Sequence, residues 1–210
     1  NMQELTAAVD AVKAVKIVVQ VGTQTRSLPV MTGCHELWKS GLLGKASRIE
    51  QCRNSEKPYW YGYVKAHLPK SADIKQEDVD WKEFLGNAPE RPFSADVLTG
   101  WYGYLDYTDG PVTNLGCHFI DLYSYITGAQ FPASCVCNGG IFTWKDEYHF
   151  TCPDHVEALW VYPEGFMAAY SSNLGNSGGS RTRFFCEKGQ LVLDTLSAPK
   201  YTAEGGPKRD

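Results

Sequence analysis

The sequence predicts an α+β fold, an open and mostly antiparallel sheet packed on helices, preceded by the last helix and strand of a truncated doubly wound domain. Three observations lead there. Apolar residues recur at helical spacing near the start and again around the middle of the chain. Alternating segments crowd together in the last third. At the very beginning a helix runs directly into a β-branched stretch.

Residues 2–15 place Leu5, Ala8, Val9, Val12 and Val15 at the helical period, with Glu4 near the positive end of the helix dipole and Lys13 and Lys16 near the negative end. Ile17-Val18-Val19-Gln20-Val21-Gly22 follows as a short buried strand of the kind found in parallel sheets. A helix followed by such a strand is half of a βαβ unit, so residues 1–22 are expected to close a domain whose body lies upstream. A second helix carries Val30, Met31, Cys34, Leu37 and Trp38 on one face and stops near Ser40-Gly41; residues 45–53 form a strand of poor alternation.

Residues 54–110 are the least regular, with eleven aromatic residues among turn formers, including Tyr59-Trp60-Tyr61 and Trp101-Tyr102-Gly103-Tyr104. Connections of this kind serve as binding loops, because rigid rings supply contact area, or as a lid or subunit contact. After the central helix come strands at 133–144, 155–162, 166–173, 181–187 and 190–195, joined by Pro163-Glu164-Gly165, by 175–179 and by Glu187-Lys188-Gly189, which reads as a meander. Trp160, Tyr162 and Tyr170 are expected on the sheet face turned away from the helices, where another subunit would pack. The chain thus divides into residues 1–22, a main domain at 23–196 and a frayed tail at 197–210.

Composition sets bounds. With 43% hydrophobic and 21% charged residues among 210, the chain has the make-up of a globular domain with a real core. A net charge of -4 offers no electrostatic case for nucleic acid, and no apolar run is long enough for a transmembrane helix. No signal peptide is visible at the start; any export signal would lie upstream. Seven cysteines without framework spacing read as free thiols in a reducing compartment, and so a cytoplasmic protein. A zinc reading would draw on Cys135 and Cys137 or on His149, Cys152 and His155, but a spacing of two on a strand only puts two thiols on one face, so no metal is expected.

The chemistry concentrates at Gly110-Pro111-Val112-Thr113-Asn114-Leu115-Gly116-Cys117-His118-Phe119-Ile120-Asp121-Leu122. Pro111 suits a first helical turn, and Leu115, Phe119 and Leu122 mark the core face. On the other side His118 lies four residues after Asn114 and three before Asp121, so the three polar groups are neighbours able to converge on one ligand. An imidazole near neutrality is a proton carrier; the competing reading is a half-buried structural histidine.

Three stretches in order carry a resemblance: Val19-Gln20-Val21-Gly22-Thr23-Gln24-x-Arg26, then Asp80-Trp81-x-x-Phe84-Leu85-Gly86-x-Ala88-Pro89-x-Arg91-Pro92-Phe93, then Gly110-x-x-x-Asn114-x-Gly116-x-His118-x-x-Asp121-Leu122. Together they resemble the Gfo/Idh/MocA family of NAD(P)-dependent oxidoreductases, the glucose-fructose oxidoreductase and inositol dehydrogenase group, from residue 1 to about 195. The resemblance implies a Rossmann domain followed by a substrate-binding and oligomerisation α/β domain, a sugar or cyclitol substrate, NAD or NADP, and a homo-oligomer formed through the sheet face. It gives His118 the family's proton-handling role together with a lysine of a Glu-Lys-Pro motif. Asn114 would orient substrate, Trp101, Tyr102 and Tyr104 would line the pocket with Asp121, and Gln24 and Arg26 would lie near the cofactor.

Two departures stand against this. The Gly-x-Gly-x-x-Gly turn and the Glu-Lys-Pro lysine are not in these residues, so the chain by itself is expected neither to hold a dinucleotide nor to complete catalysis. Asn114 stands where the family commonly has aspartate; an amide hydrogen-bonds a hydroxyl but does not take its proton. The alternatives are an NAD-dependent glycosidase on the same scaffold, a non-catalytic binding or oligomerisation module, and a zinc-stabilised domain.

Overall fold

The computed structural model describes residues 2–65, 74–145, 148–194 and 199–203. Helices α1 (Met2–Ala14), α2 (Pro29–Lys39), α3 (Trp60–Lys65), α4 (Trp81–Leu85), α5 (Ala95–Thr99) and α6 (Cys117–Thr127) accompany strands β1 (Ala46–Asn54), β2 (Ser134–Gly140), β3 (His155–Tyr162), β4 (Phe166–Asn173), β5 (Ser180–Cys186), β6 (Gly189–Asp194) and β7 (Lys200–Ala203). The strands form one open sheet in the order β2-β3-β4-β1-β5-β6-β7. The α+β architecture is the expected one.

The meander is not. β1 fills the slot between β4 and β5, parallel to β4 and antiparallel to β5, while the other neighbouring pairs are antiparallel. Alternation along β4 and β5 reports which face each residue takes and is silent on whether another strand separates them. The inserted strand supplies Ile49 to the centre of the core, where it pairs with Ala168 on one side and Phe184 on the other.

One face of the sheet is covered by α2 and α6. Its residues alternate with half-buried or exposed ones along β3 to β6, and Val156, Ala158, Tyr162, Phe166, Ala168, Tyr170, Phe184, Leu191 and Leu193 are all buried. Here the expectation for the aromatics is corrected: Trp160 packs against this core, and Tyr162 and Tyr170 are inside it. Helix α2 contributes Cys34, with Val30, Leu37 and Trp38 packed alongside, and α6 contributes Tyr123 and Ile126. Gly128 in the left-handed conformation ends α6.

The aromatic-rich stretch builds a second, smaller core. Trp60, Tyr61, Val97, Tyr104, Phe150, Cys152 and Leu174 are buried together, with Tyr59, Trp81, Phe84, Tyr102, Tyr107, Trp144 and Tyr148 against them. Two of its short helices, α4 and α5, start on side-chain caps, Asp80 accepting from the Glu83 N–H at 3.0 Å and Ser94 from the Val97 N–H at 3.2 Å. Asp154, only 1% exposed, ties this lobe to the sheet. Its carboxylate accepts from the N–H groups of Phe142 (2.9 Å), Thr143 (2.9 Å) and Trp144 (2.8 Å), and His155 Nδ1 lies 2.6 Å from Oδ1.

Two end segments differ from expectation. Helix α1 forms but buries no residue, and residues 17–22 make no strand; Val18 is 97% exposed. A β-branched run becomes a strand only beside a partner that takes its hydrogen bonds, and none is next to it among the described residues. The tail, by contrast, supplies an edge strand, since Lys200–Ala203 pairs with β6. No described helix is long and apolar enough to cross a membrane.

Burial by itself would raise the Asp154 pKa, but the bonds from His155 and the three backbone N–H groups outweigh it and hold the carboxyl below the usual aspartate range. A depressed folded-state pKa stabilises the protein above the unfolded value and loses that contribution as pH falls through the folded one. Asp154→Asn is therefore expected to lower the urea-measured unfolding free energy by about 3 kcal/mol at neutral pH. The gap between variant and parent should narrow as pH drops below about 4.

Candidate functional site

The central motif opens at Gly110, whose φ of 78° suits glycine, and Pro111 follows in helical conformation. Residues Val112–Gly116 are wound wider than an α-helix, the Gly116 N–H donating to the Pro111 carbonyl at 2.7 Å, before α6 proper begins. The cause lies beneath, in β4. The Tyr170 hydroxyl donates to the same Pro111 carbonyl at 3.1 Å, and a Cβ on Gly116 would come within 2.9 Å of the Tyr170 ring. Only glycine lets the helix settle this close. Burial pushes the Tyr170 phenol up to about 12, so it stays protonated and keeps donating.

With Phe119, Leu122, Tyr123 and Ile126 turned to the sheet, the polar side of the helix carries Asn114, His118 and Asp121 at spacings of four and three. Phe119 packs beneath the guanidinium of Arg53, 5.8 Å from its ring centroid, and Arg53 in turn donates to the Ser180 hydroxyl at 2.7 Å. His118 is half-buried, and its imidazole makes no hydrogen bond among the described residues. Asn114 is half-buried too, its amide 3.5 Å from the Thr108 hydroxyl. The Cys117 thiol is turned back to the Asn114 carbonyl at 3.0 Å.

Asp121 is engaged by Arg26 in a two-pronged ion pair, Nε to Oδ2 at 2.7 Å and the terminal nitrogen to Oδ1 at 2.5 Å. The guanidinium also lies 5.3 Å from the centroid of Tyr125, which stacks on His35 of α2 at 4.7 Å. The turn that delivers Arg26 is strained: Thr25 has φ of 76°, a conformation costing a β-branched residue about 1–3 kcal/mol. The residue expected near the cofactor is thus bound to the helix that bears His118. Gln24 is exposed in the same turn.

Tyr104 is buried in the aromatic lobe with its hydroxyl on the Tyr148 carbonyl at 2.8 Å, and it borders a cavity of about 330 Å³ with Arg91, Asp106 and His149. Tyr102 stacks on Trp101 at 3.7 Å and packs against Tyr59. The structure therefore gathers Asn114, His118, Asp121 and Arg26 about one helix and sets Tyr104 in the second core, with Tyr102 packed against that core and Trp101 stacked on Tyr102. All seven cysteines are free. Among the described residues no three His, Cys, Asp or Glu side chains converge as a metal site. Two contributors escaped the sequence reading. Thr108 carries no signal of its own, whereas strand parity with the apolar Phe166 and Ala168 marks Tyr170 as inward.

The motif thus lies on a helix that covers one face of an open α+β sheet. The chain belongs to the Gfo/Idh/MocA oxidoreductase family: the GFO/IDH/MocA C-terminal domain matches residues 85–192, and the oxidoreductase family C-terminal alpha/beta domain matches residues 28–136. Among solved structures, the WlbA dehydrogenase from Bordetella pertussis, in complex with NADH and UDP-GlcNAcA, superposes with a TM-score of 0.67 at 13% identity, over 99% of this chain and 54% of its own. An inositol dehydrogenase homolog complexed with NAD+ from Azotobacter vinelandii gives 0.65 at 16% identity, over 99% of this chain and 46% of its own. An oxidoreductase from Agrobacterium radiobacter, in complex with NAD+, L-tartaric acid and magnesium, gives 0.62 at 13%, over 98% and 49%. The chain thus spans about half the length of the solved proteins it matches. No curated protein matches it.

The contact between Gly116 and Tyr170 yields a direct check. Gly116→Ala must push the helix start off the sheet, and thermal or urea unfolding should show a loss of about 2 kcal/mol despite the better helix propensity of alanine.

Proposed function

We propose that this chain is the substrate-binding and catalytic domain of an NAD(P)-dependent oxidoreductase acting on a hydroxyl of a sugar or cyclitol, with His118 as the group that takes or returns the hydroxyl proton. The observation that carries the reading is the state of His118: half-buried, with an imidazole that makes no hydrogen bond among the described residues, on a helix whose start is anchored by Tyr170 and whose flank is held by Arg26. An imidazole placed so has its ring nitrogens available to a ligand. Asn114, restrained by Thr108, orients the substrate hydroxyl.

Residues 1–22 belong, in this proposal, to the dinucleotide-binding domain, and residues 23–196 to the substrate domain. The unburied apolar side chains of α1 and of Ile17 to Val21 support it, because such a row is stable in water only against another surface. The nicotinamide, when bound, would supply the hydride acceptor; the glycine-rich turn that would hold its pyrophosphate is not among these residues, and Gln24 and Arg26 would lie toward it from this side. Bound NADH or NAD+ and a UDP-sugar in the solved relatives support this choice of cofactor and of polyhydroxylated substrate. The open sheet face, which exposes Leu159, Val161 and Met167, serves as the oligomer contact. Free thiols throughout fit a cytoplasmic setting.

His118→Ala in the complete parent protein should lower kcat by about 100-fold or more while leaving NADH binding, followed by fluorescence, unchanged. A binding module without chemistry would show no dependence on His118. Net hydrolysis of a glycoside without net NADH would identify the glycosidase variant instead.

A further inference from the structure

The sheet has two exposed edges of different character. β7 is four residues long and carries Lys200, both devices that keep an edge strand from pairing with another chain. β2 has neither protection. It is seven residues long, Ser134 to Gly139 are all exposed, and no residue from Phe131 to Phe142 is charged. Val136 in its middle is 66% exposed, and the flanking Phe131 and Phe142 are 83% and 70% exposed.

The order of residues about Val136 says what fits there. We propose that β2 is the docking edge for a second copy of this chain, the two β2 strands pairing antiparallel about a two-fold axis at Val136 so that one sheet continues into the other. In this register Val136 meets its own copy and Ser134 lies opposite the partner's Asn138. Cys135 lies opposite the partner's Cys137 on each side of the axis. Both thiols are exposed and project to one face, since Cys135 and Cys137 pair with Trp160 and Ala158 of β3. Beyond each end of the paired strands lie the exposed Phe131 and Phe142 of the two copies, so four exposed rings flank the ladder and add apolar area that a bare strand pair lacks. No charge meets its like across the axis, and Pro132, without an N–H, ends the ladder.

This edge contact is separate from packing through the open face, and one experiment tells them apart. The complete parent protein is treated with diamide at mildly alkaline pH, because partial desolvation by neighbouring atoms pushes the Cys137 thiol up. Diamide removes two electrons and two protons from each facing thiol pair, and peptide mass spectrometry reads the link. The expected result is a covalent dimer joined through Cys135 and the partner's Cys137, with a reversible dimer in sedimentation before oxidation. Val136→Lys sets two ammonium groups against each other and should weaken the dimer by about tenfold or more and abolish the link, with an unchanged circular dichroism spectrum. Leu159→Lys, one strand in on the open face, should leave the link intact. A chain that stays monomeric and unlinked overturns the proposal. So does a dimer lost on Leu159→Lys that never yields the Cys135–Cys137 link.

Discussion

The structure depends on how closely α6 lies against β4. A tyrosine hydroxyl in the middle of the sheet reaches the carbonyl of Pro111, and Gly116 leaves room for the ring beneath it. The carbonyl at the start of the motif accepts two bonds, one from the helix and one from the sheet, which forces the first turn to widen. The widened turn rotates the rest of the helix. Leu122 is buried, Phe119 lies half-buried beneath Arg53, and His118 is left on the outer flank with its ring nitrogens unengaged among the described residues. A packing contact thus decides the direction of the one side chain of the motif with acid–base use near neutrality.

On that flank a second link matters as much. The strained turn at Thr25 brings Arg26 onto Asp121, joining the segment that leaves residues 15–22 to the helix that bears His118. The sequence reading put Arg26 near the cofactor and Asp121 near the substrate; their mutual ion pair makes them one unit at the boundary between the two proposed domains. Strain at a β-branched residue persists only where surrounding contacts over-determine it, and the guanidinium supplies them through Asp121 and Tyr125.

Much of the fold was legible. Periodicity located α1, α2 and α6, and turn residues located the hairpins around Gly165 and Gly189, because these signals are local. The motif at 110–122 and its resemblance led to the right family for the same reason. The long-range pairings were not legible. Nothing in Ala46–Asn54 says that it joins strands far along the chain, and nothing near Tyr104 says that its hydroxyl is spent on the Tyr148 carbonyl. Residues 17–22 show the opposite case, a sequence with every mark of a strand that has no neighbouring strand among the described residues.

The placement of β1 has a consequence for how the chain reaches this state. Arg48 pairs with Met167 and Phe185, residues that follow it by more than a hundred positions, so the centre of the sheet closes through its most distant contacts. On the ribosome β1 emerges long before either neighbour, whereas β3 and β4 follow directly on one another. Closure of this kind loses loop entropy before the pairing is gained, so the high contact order of the central strand favours slow folding.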